Sequence, residues 1–192
     1  MLVSVVVATR NRPELLRSTL LSPKAQTHQA LEVVVLDDGS SSATRAHYAK
    51  LWGELDDRFR LVQQGQDGQR GQGPSASRNQ AIQHTQGQLV AFCDDDDIWI
   101  DNEHLARTVA AFGSHPELDL YISNQRAVYP DGTVREDWLP RLSAQLANMP
   151  TLADGCHQVT IERLSQCGGF AHLNMLLLRR TLLLDVGGFW EG

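Results

Sequence analysis

Leu31 to Leu36 reads LEVVVL and runs without a break into Asp37-Asp38-Gly39-Ser40. A β-branched run with almost no polar interruption is what a strand buried on both faces requires. Leu2 to Val7 has the same character and leads to Thr9-Arg10-Asn11. Leu89 to Phe92 repeats it and leads to four aspartates, Asp94 to Asp97. Burial on both faces demands helices over both faces, and those demand parallel strands joined by crossovers. The recurring unit therefore constrains the chain to an α/β architecture with a mainly parallel sheet.

The segments between the strands fit that scheme. Asn11, Arg12 and Pro13 open a helix, with Pro13 tolerated in its first turn, and Leu15, Leu16, Thr19 and Leu20 supply an apolar stripe. A second helix is predicted over Thr44 to Leu55 and a strand over Arg58 to Gln63. Gln64 to Gly73 is a loop of glycine and glutamine, expected to be mobile. Pro74 suits position N1 of a helix running to about His84, which Gly87 ends. A helix over 102–112 and a strand over 118–123 complete the repeating unit. Beyond Arg126 the pattern weakens. Tyr129-Pro130-Asp131-Gly132 reads as a turn, residues 138–168 as irregular with helical pieces, Asn174 to Leu178 as apolar, and Arg180 to Asp185 as a helix. With no repeat and no linker, residues 1–192 read as one domain.

Bulk properties remove several function classes. The 192 residues are 42% hydrophobic, enough for a sizeable core. The net charge of −6, with both signs mixed, offers no basic face for nucleic acid and no polybasic membrane anchor. Three cysteines, Cys93, Cys156 and Cys167, do not make a disulfide framework and suit a reducing cytoplasm. The N-terminus has no basic region and its apolar run ends by Ala8, while Arg179 and Arg180 stop the stretch at Met175 to Leu178. No signal peptide or transmembrane segment is expected.

In open parallel sheets, ligands bind outside the carboxyl ends of the strands. Three polar clusters fall there: Thr9-Arg10-Asn11, Asp37-Asp38 and Asp94 to Asp97. Four adjacent carboxylates repel one another, and a hard divalent cation such as Mg²⁺ or Mn²⁺ relieves that repulsion. The plainer reading, a solvated acidic turn before the next helix, is weakened because the run directly follows a buried strand. Asp37 and Asp38 alone would pass for ordinary turn chemistry; beside the second cluster they become candidates for a base N–H or a ribose hydroxyl. Gly65, Gly68, Gly71 and Gly73 match neither G-x-G-x-x-G nor a P-loop. Arg78, a turn into the following helix, faces a phosphate or pairs with an acidic neighbour. Cys156, His157, Cys167 and His172 lack the spacing of a structural zinc site. His172 opens an apolar stretch against the same cleft, where a lone histidine is more often structural.

Taken in order, these segments resemble the family-2 glycosyltransferases of GT-A fold. The resemblance rests on Ala8-Thr9-Arg10-Asn11-Arg12-Pro13, on Glu32 to Ser40, on Gly73-Pro74-Ser75-Ala76-Ser77-Arg78-Asn79, on Gly87 to Asp97, and on Leu184-Asp185-Val186-Gly187-Gly188-Phe189. It implies a nucleotide-binding half, 1–125, and a smaller, irregular acceptor-side half, 126–192. It also implies transfer of a sugar from a nucleoside diphosphate donor, expected to be UDP-linked, to an acceptor hydroxyl of a glycan, lipid or protein, with inversion. Under it, Asp96 is the metal ligand for Mn²⁺ or Mg²⁺, and Asp94 or Asp95 lies near the ribose. Asp38, or Asp37, holds the base, Thr9 and Arg10 line the nucleoside pocket, and Gly73 and Arg78 complete the donor site.

The family's general base follows the Gly-Gly-Phe segment, and Glu191 matches an acidic residue that is not usually that base. The base is therefore expected beyond Gly192, and residues 1–192 are expected to be an incomplete catalytic domain. The alternatives are a non-catalytic nucleotide-sugar binding module and, less favoured, a sugar nucleotidyltransferase; Ala8-Thr9-Arg10-Asn11 stands where the latter carries a Gly-rich basic signature. The expected location is the cytoplasm, with a peripheral position at the inner membrane face as the variant.

Overall fold

The computed structural model describes residues 1–67, 69–152, 155–166 and 171–192. Eight strands and seven helices are present among them: β1 (Val3–Thr9), α1 (Pro13–Lys24), β2 (Leu31–Asp38), α2 (Ser42–Trp52), β3 (Phe59–Gln64), α3 (Pro74–Gln83), β4 (Leu89–Phe92), α4 (His104–Ser114), β5 (Leu120–Ile122), β6 (Ala127–Val128), β7 (Val134–Arg135), α5 (Pro140–Leu146), α6 (Ile161–Ser165), β8 (Leu176–Arg179) and α7 (Arg180–Asp185). The main sheet has the order β3-β2-β1-β4-β8-β5. Strands β3, β2, β1 and β4 are mutually parallel, with Val3 opposite Leu31 and Thr9 opposite Asp37. The mixed sheet flanked by helices is the expected α/β, GT-A type fold.

Side-chain alternation along the parallel strands divides the core in two. Val3, Val5, Val7, Val33, Val35, Leu89 and Ala91 point to one face, where Leu16, Leu20, Tyr48, Leu105 and Phe112 cover them. Val6, Val34, Leu36, Val90 and Phe92 point to the other, under Ala81, Ile82 and Leu183. Each such Val or Leu, fully buried, contributes about 1.5–3 kcal/mol of transfer free energy. Ser4 breaks the apolar run without cost because its Oγ donates to Glu32 and accepts from Gly87 N–H. A Cβ at Gly87 would lie 2.6 Å from that oxygen, so the helix-to-strand turn requires glycine.

Two expectations need correction. Leu15 is 46% exposed; the buried stripe of α1 is Leu16, Thr19 and Leu20, because the helix starts at Pro13 and turns Leu15 outward. The strand over 118–123 shortens to β5 and does not extend the parallel series. Instead β8 inserts between β4 and β5, antiparallel to both. The Tyr129–Gly132 turn joins the small antiparallel pair β6-β7, and α5 with Met175 forms a separate small core. Among the described residues, no helix is long and apolar enough to cross a membrane.

Candidate active site

The ends of β1, β2 and β4 lie side by side, and the three polar clusters meet there. Asn11, the sole described non-glycine residue at positive φ (55°), ties two of the turns together. Its N–H donates to Ser40 Oγ and its Oδ1 accepts from Ser41 N–H; asparagine tolerates this conformation better than most residues. Thr9 Oγ1 donates to Asp95 Oδ2 at 2.7 Å and lies 3.2 Å from the Tyr48 hydroxyl. Arg12 Nη1 reaches Asp95 Oδ1 at 2.9 Å and Asp96 Oδ2 at 3.0 Å. Burial pushes the Asp95 carboxyl upward from its ordinary value, against the pull of Thr9 and Arg12.

A cleft of about 590 Å³ opens at this edge. Of the predicted residues, Thr9, Arg10, Asp38, Gly73 and Asp95 line it, joined by Arg12, Arg70 and Ser77. Asp38 is held by the loop opposite: its two oxygens accept from Gln72 N–H and Gly73 N–H, each at 2.9 Å. Asp37 is fully buried, with Oδ1 accepting from Ser40 N–H and Oδ2 facing Arg45 at 3.3 Å. It stands behind the cleft, as a support of the turn. The glycine-rich loop is anchored by Arg10 to Gln69 O and by Arg45 to the carbonyls of Gln64 and Gly65; Gly68 lies outside the described residues.

Asp94 and Asp97 turn to the other side. Arg78 Nη2 pairs with Asp94 Oδ1, so of its two expected roles the structure shows the acidic neighbour. Asn174 bridges the cluster: its Oδ1 accepts from Asp94 N–H at 3.0 Å, and its Nδ2 donates to the Asp97 carboxylate. One ligand atom each from Asp94, Asp97 and His172 lies within 4.8 Å of the others. Burial, then the charges of Asp96 and Asp94, push the Asp97 carboxyl upward, while His172 and Asn174 oppose the shift. Asp96, with its side chain 48% exposed, projects toward Arg12 between the two groups. Of the residues weighed for zinc, His172 alone joins a candidate metal group among the described residues, and Cys167 lies outside them.

Sequence reasoning assigned no site role to Arg12, Ser77, Asn79 or Asn174. For Arg12 the signal was available, a cation beside one cluster and four carboxylates in another. Asn174 meets Asp94 only because β8 inserts beside β4, a pairing that local pattern does not encode.

Beyond Asp96 and Asp97 a larger cavity of about 1420 Å³ runs under α4, β5 and the α5–α6 region, with Trp99, Tyr121, Trp138 and His172 in its wall.

Acidic strand ends gathered around one cleft in a mainly parallel sheet define an α/β domain whose candidate ligand site lies at the carboxyl edge of its strands. Residues 4–145 match the model of Glycosyl transferase family 2, and the chain belongs to that family. It is 33% identical over 129 residues to the putative glycosyltransferase EpsH of Bacillus subtilis, covering 67% of this chain and 35% of EpsH. It is 32% identical over 102 residues to the Escherichia coli UDP-Glc:alpha-D-GlcNAc-diphosphoundecaprenol beta-1,3-glucosyltransferase WfgD, covering 53% and 38%. Among solved structures, S. aureus TarS 1–349 in complex with UDP superposes with a TM-score of 0.67 at 25% identity, covering 99% of this chain and 50% of TarS 1–349. The chain thus spans less than half the length of these two curated relatives.

Proposed function

We propose that residues 1–192 form the donor side of an inverting, metal-dependent glycosyltransferase that takes a nucleoside diphosphate sugar, UDP-linked, and serves an acceptor hydroxyl. The observation that carries this reading is the meeting of the Asp94–Asp97 carboxylates with the Thr9–Asp38–Gly73 cleft at one sheet edge. The names of WfgD and of the UDP complex of TarS support a uridine nucleotide. In this reading Thr9, Arg10 and Gly73 enclose the nucleoside, Asp38 pairs with the base once the loop releases it, and Asp95 lies toward the ribose.

The carboxylates of Asp94 and Asp97 with the His172 imidazole, or the exposed Asp96, fit a divalent cation of the Mn²⁺ or Mg²⁺ type. When bound, such an ion supplies Lewis-acid charge against the leaving diphosphate. Arg78 holds Asp94 and Asn174 holds Asp97, so the chain keeps both carboxylates oriented. Asp37, Asp38, Asp94 and Asp95 are each engaged by donors. By the family resemblance, the proton of the acceptor hydroxyl goes to a carboxylate outside this donor-side group.

Titration calorimetry with UDP tests the reading. UDP should bind much more tightly with Mn²⁺ than with EDTA, and Asp96→Ala should remove the difference. Equal affinity with and without the ion would sink the metal-dependent reading.

A further inference from the structure

A single guanidinium nitrogen, Arg12 Nη1, sits between two carboxylates, 2.9 Å from Asp95 Oδ1 and 3.0 Å from Asp96 Oδ2. Asp95 has a second partner, the Thr9 hydroxyl. Among the described residues, Arg12 is the only side chain that holds Asp96. So held, Asp96 stays outside the group in which Asp94, Asp97 and His172 bring ligand atoms within 4.8 Å of one another. The carboxylate cluster thus carries its own cation, placed where it competes with a metal ion for Asp96.

We propose that Arg12 is a positioning residue that couples the nucleotide to the metal. In the ligand-free protein it holds Asp96; when nucleotide binds, its guanidinium passes to the diphosphate and Asp96 is released to the divalent cation. This rests on the transferase reading above, which supplies both the diphosphate and the ion.

The surroundings of Arg12 suit a hand-over. Its side chain is half exposed and lines the donor cleft with Thr9, Asp38 and Gly73. Arg78, the other cation on the cluster, is more enclosed and lies over the Phe189 ring. The Arg12 backbone is fixed, with its N–H donating to the Tyr48 hydroxyl and Pro13 opening α1 behind it. Only the side chain has to move.

The chemistry favours the exchange as well. Both carboxylate contacts use Nη1, and Nε and Nη2 make none among the described residues. A diphosphate offers a planar guanidinium two oxygens at once, the pairing for which arginine is best shaped. An ion pair as exposed as Arg12–Asp96 is weak, worth about fivefold or less in an equilibrium constant. Nucleotide can therefore draw the guanidinium away, and Asp95 keeps its bond to Thr9 when it leaves.

The test measures Mn²⁺ binding from the paramagnetic resonance signal of the free ion and UDP binding by calorimetry, each with and without the other ligand and corrected for Mn²⁺–UDP in solution. In the parent chain each ligand should tighten the other by the same factor. Arg12→Met keeps the aliphatic stem and removes the charge. It should bind Mn²⁺ alone about fivefold more tightly and UDP alone about fivefold more weakly, and the coupling between the two should fall about fivefold. A guanidinium that only supported the fold would, on removal, weaken both ligands. One that stayed in place would repel Mn²⁺ and attract UDP equally whether or not the other was bound, and its loss would leave the coupling unchanged. Arg12→Gln should behave as Arg12→Met does and serves if that variant does not fold. Unchanged coupling, or Mn²⁺ alone bound no more tightly, overturns the hand-over and leaves the transferase reading standing. A parent chain whose UDP affinity ignores Mn²⁺ overturns the metal-dependent reading, and the hand-over with it.

Discussion

Asn79 holds both backbone polar groups of Phe189. Its Oδ1 accepts from Phe189 N–H and its Nδ2 donates to Phe189 O, each at 2.7 Å, and Nδ2 also donates to Glu191 Oε1 at 2.7 Å. Gly188, at φ 74°, makes the approach possible, since a Cβ there would lie 2.4 Å from Asn79 Oδ1. The phenyl ring so fixed meets Phe92 edge to face at 5.3 Å and lies under the Arg78 guanidinium, which pairs with Asp94. The Gly-Gly-Phe segment thus braces the donor-side carboxylates from behind.

From this, Asn79→Ala should destabilise the fold by about 2–3 kcal/mol, the sum of two neutral hydrogen bonds and one to an exposed carboxylate, partly recovered by water. Asn79→Asp should be no better, because it loses the donor to Phe189 O and sets a carboxylate against Glu191. Urea unfolding measures both. An Asn79→Ala midpoint equal to that of the parent chain would mean the Phe189 clamp is not kept in solution.

Gly71 offers a sharper handle on the cleft. A Cβ at this position would stand 2.4 Å from Asp38 Oδ2 and 2.9 Å from the Asp38 carbonyl. Gly71→Ala must therefore lift the 71–73 segment off Asp38 and break its bonds to Gln72 and Gly73. Because that segment is a loop contact outside the core, stability should fall by about 1 kcal/mol or less. UDP affinity should change by about tenfold, upward if the loop competes with the base for Asp38 and downward if it helps enclose the nucleotide. Calorimetry reads the sign, and an unchanged affinity would remove Asp38 from the nucleotide site.

Ser77 sits on α3 beside the cleft at 1% exposure, with its hydroxyl enclosed and unpartnered. Ser77→Ala should stabilise the ligand-free protein by about 1 kcal/mol, through relief of a buried unsatisfied oxygen and better helix propensity. A loss of stability on denaturant melting would show that the hydroxyl has a partner, such as an ordered water.

Much of this site was legible because its parts are local. The apolar runs at Val3, Val33 and Leu89 specify two-sided strands, and parallel pairing carries their polar ends to one edge. Thr9 meets Asp95 for that reason alone. What was not legible depends on pairings between distant segments. The direction of β8 and its place beside β4 do not follow from the period of LNMLLL, yet they set Asn174 against Asp94. The phase of α1 was misjudged at Leu15 because an apolar residue beside a buried stripe looks the same whichever side it turns to. Asp37 and Asp38 are chemically identical neighbours, and only the pleat decides that one props a turn while the other faces the cleft.

His104 gives the fold a pH dependence whose sign is fixed by burial. Its pKa falls from 6.5 to about 4 because the enclosed ring resists taking a charge. In the unfolded chain the ring protonates near its ordinary value, so below that point the unfolded state binds a proton that the folded state does not. Stability is then complete above about pH 7, falls by about 1.4 kcal/mol per pH unit as acid is added, and has lost about 3 kcal/mol by about pH 4. Below that both states are protonated and the slope from this residue vanishes. Asp95 and Asp97 work the other way, since their raised pKa values let the folded state take protons first. The total curve therefore mixes signs, and the informative quantity is the difference between the parent chain and His104→Phe. Urea melts of the two between about pH 7 and about pH 4.5 should show the variant gaining relative stability steadily as pH drops. A difference that stays flat across that window would mean the imidazole ionises freely in the folded state, and the enclosed, neutral ring described here would be wrong.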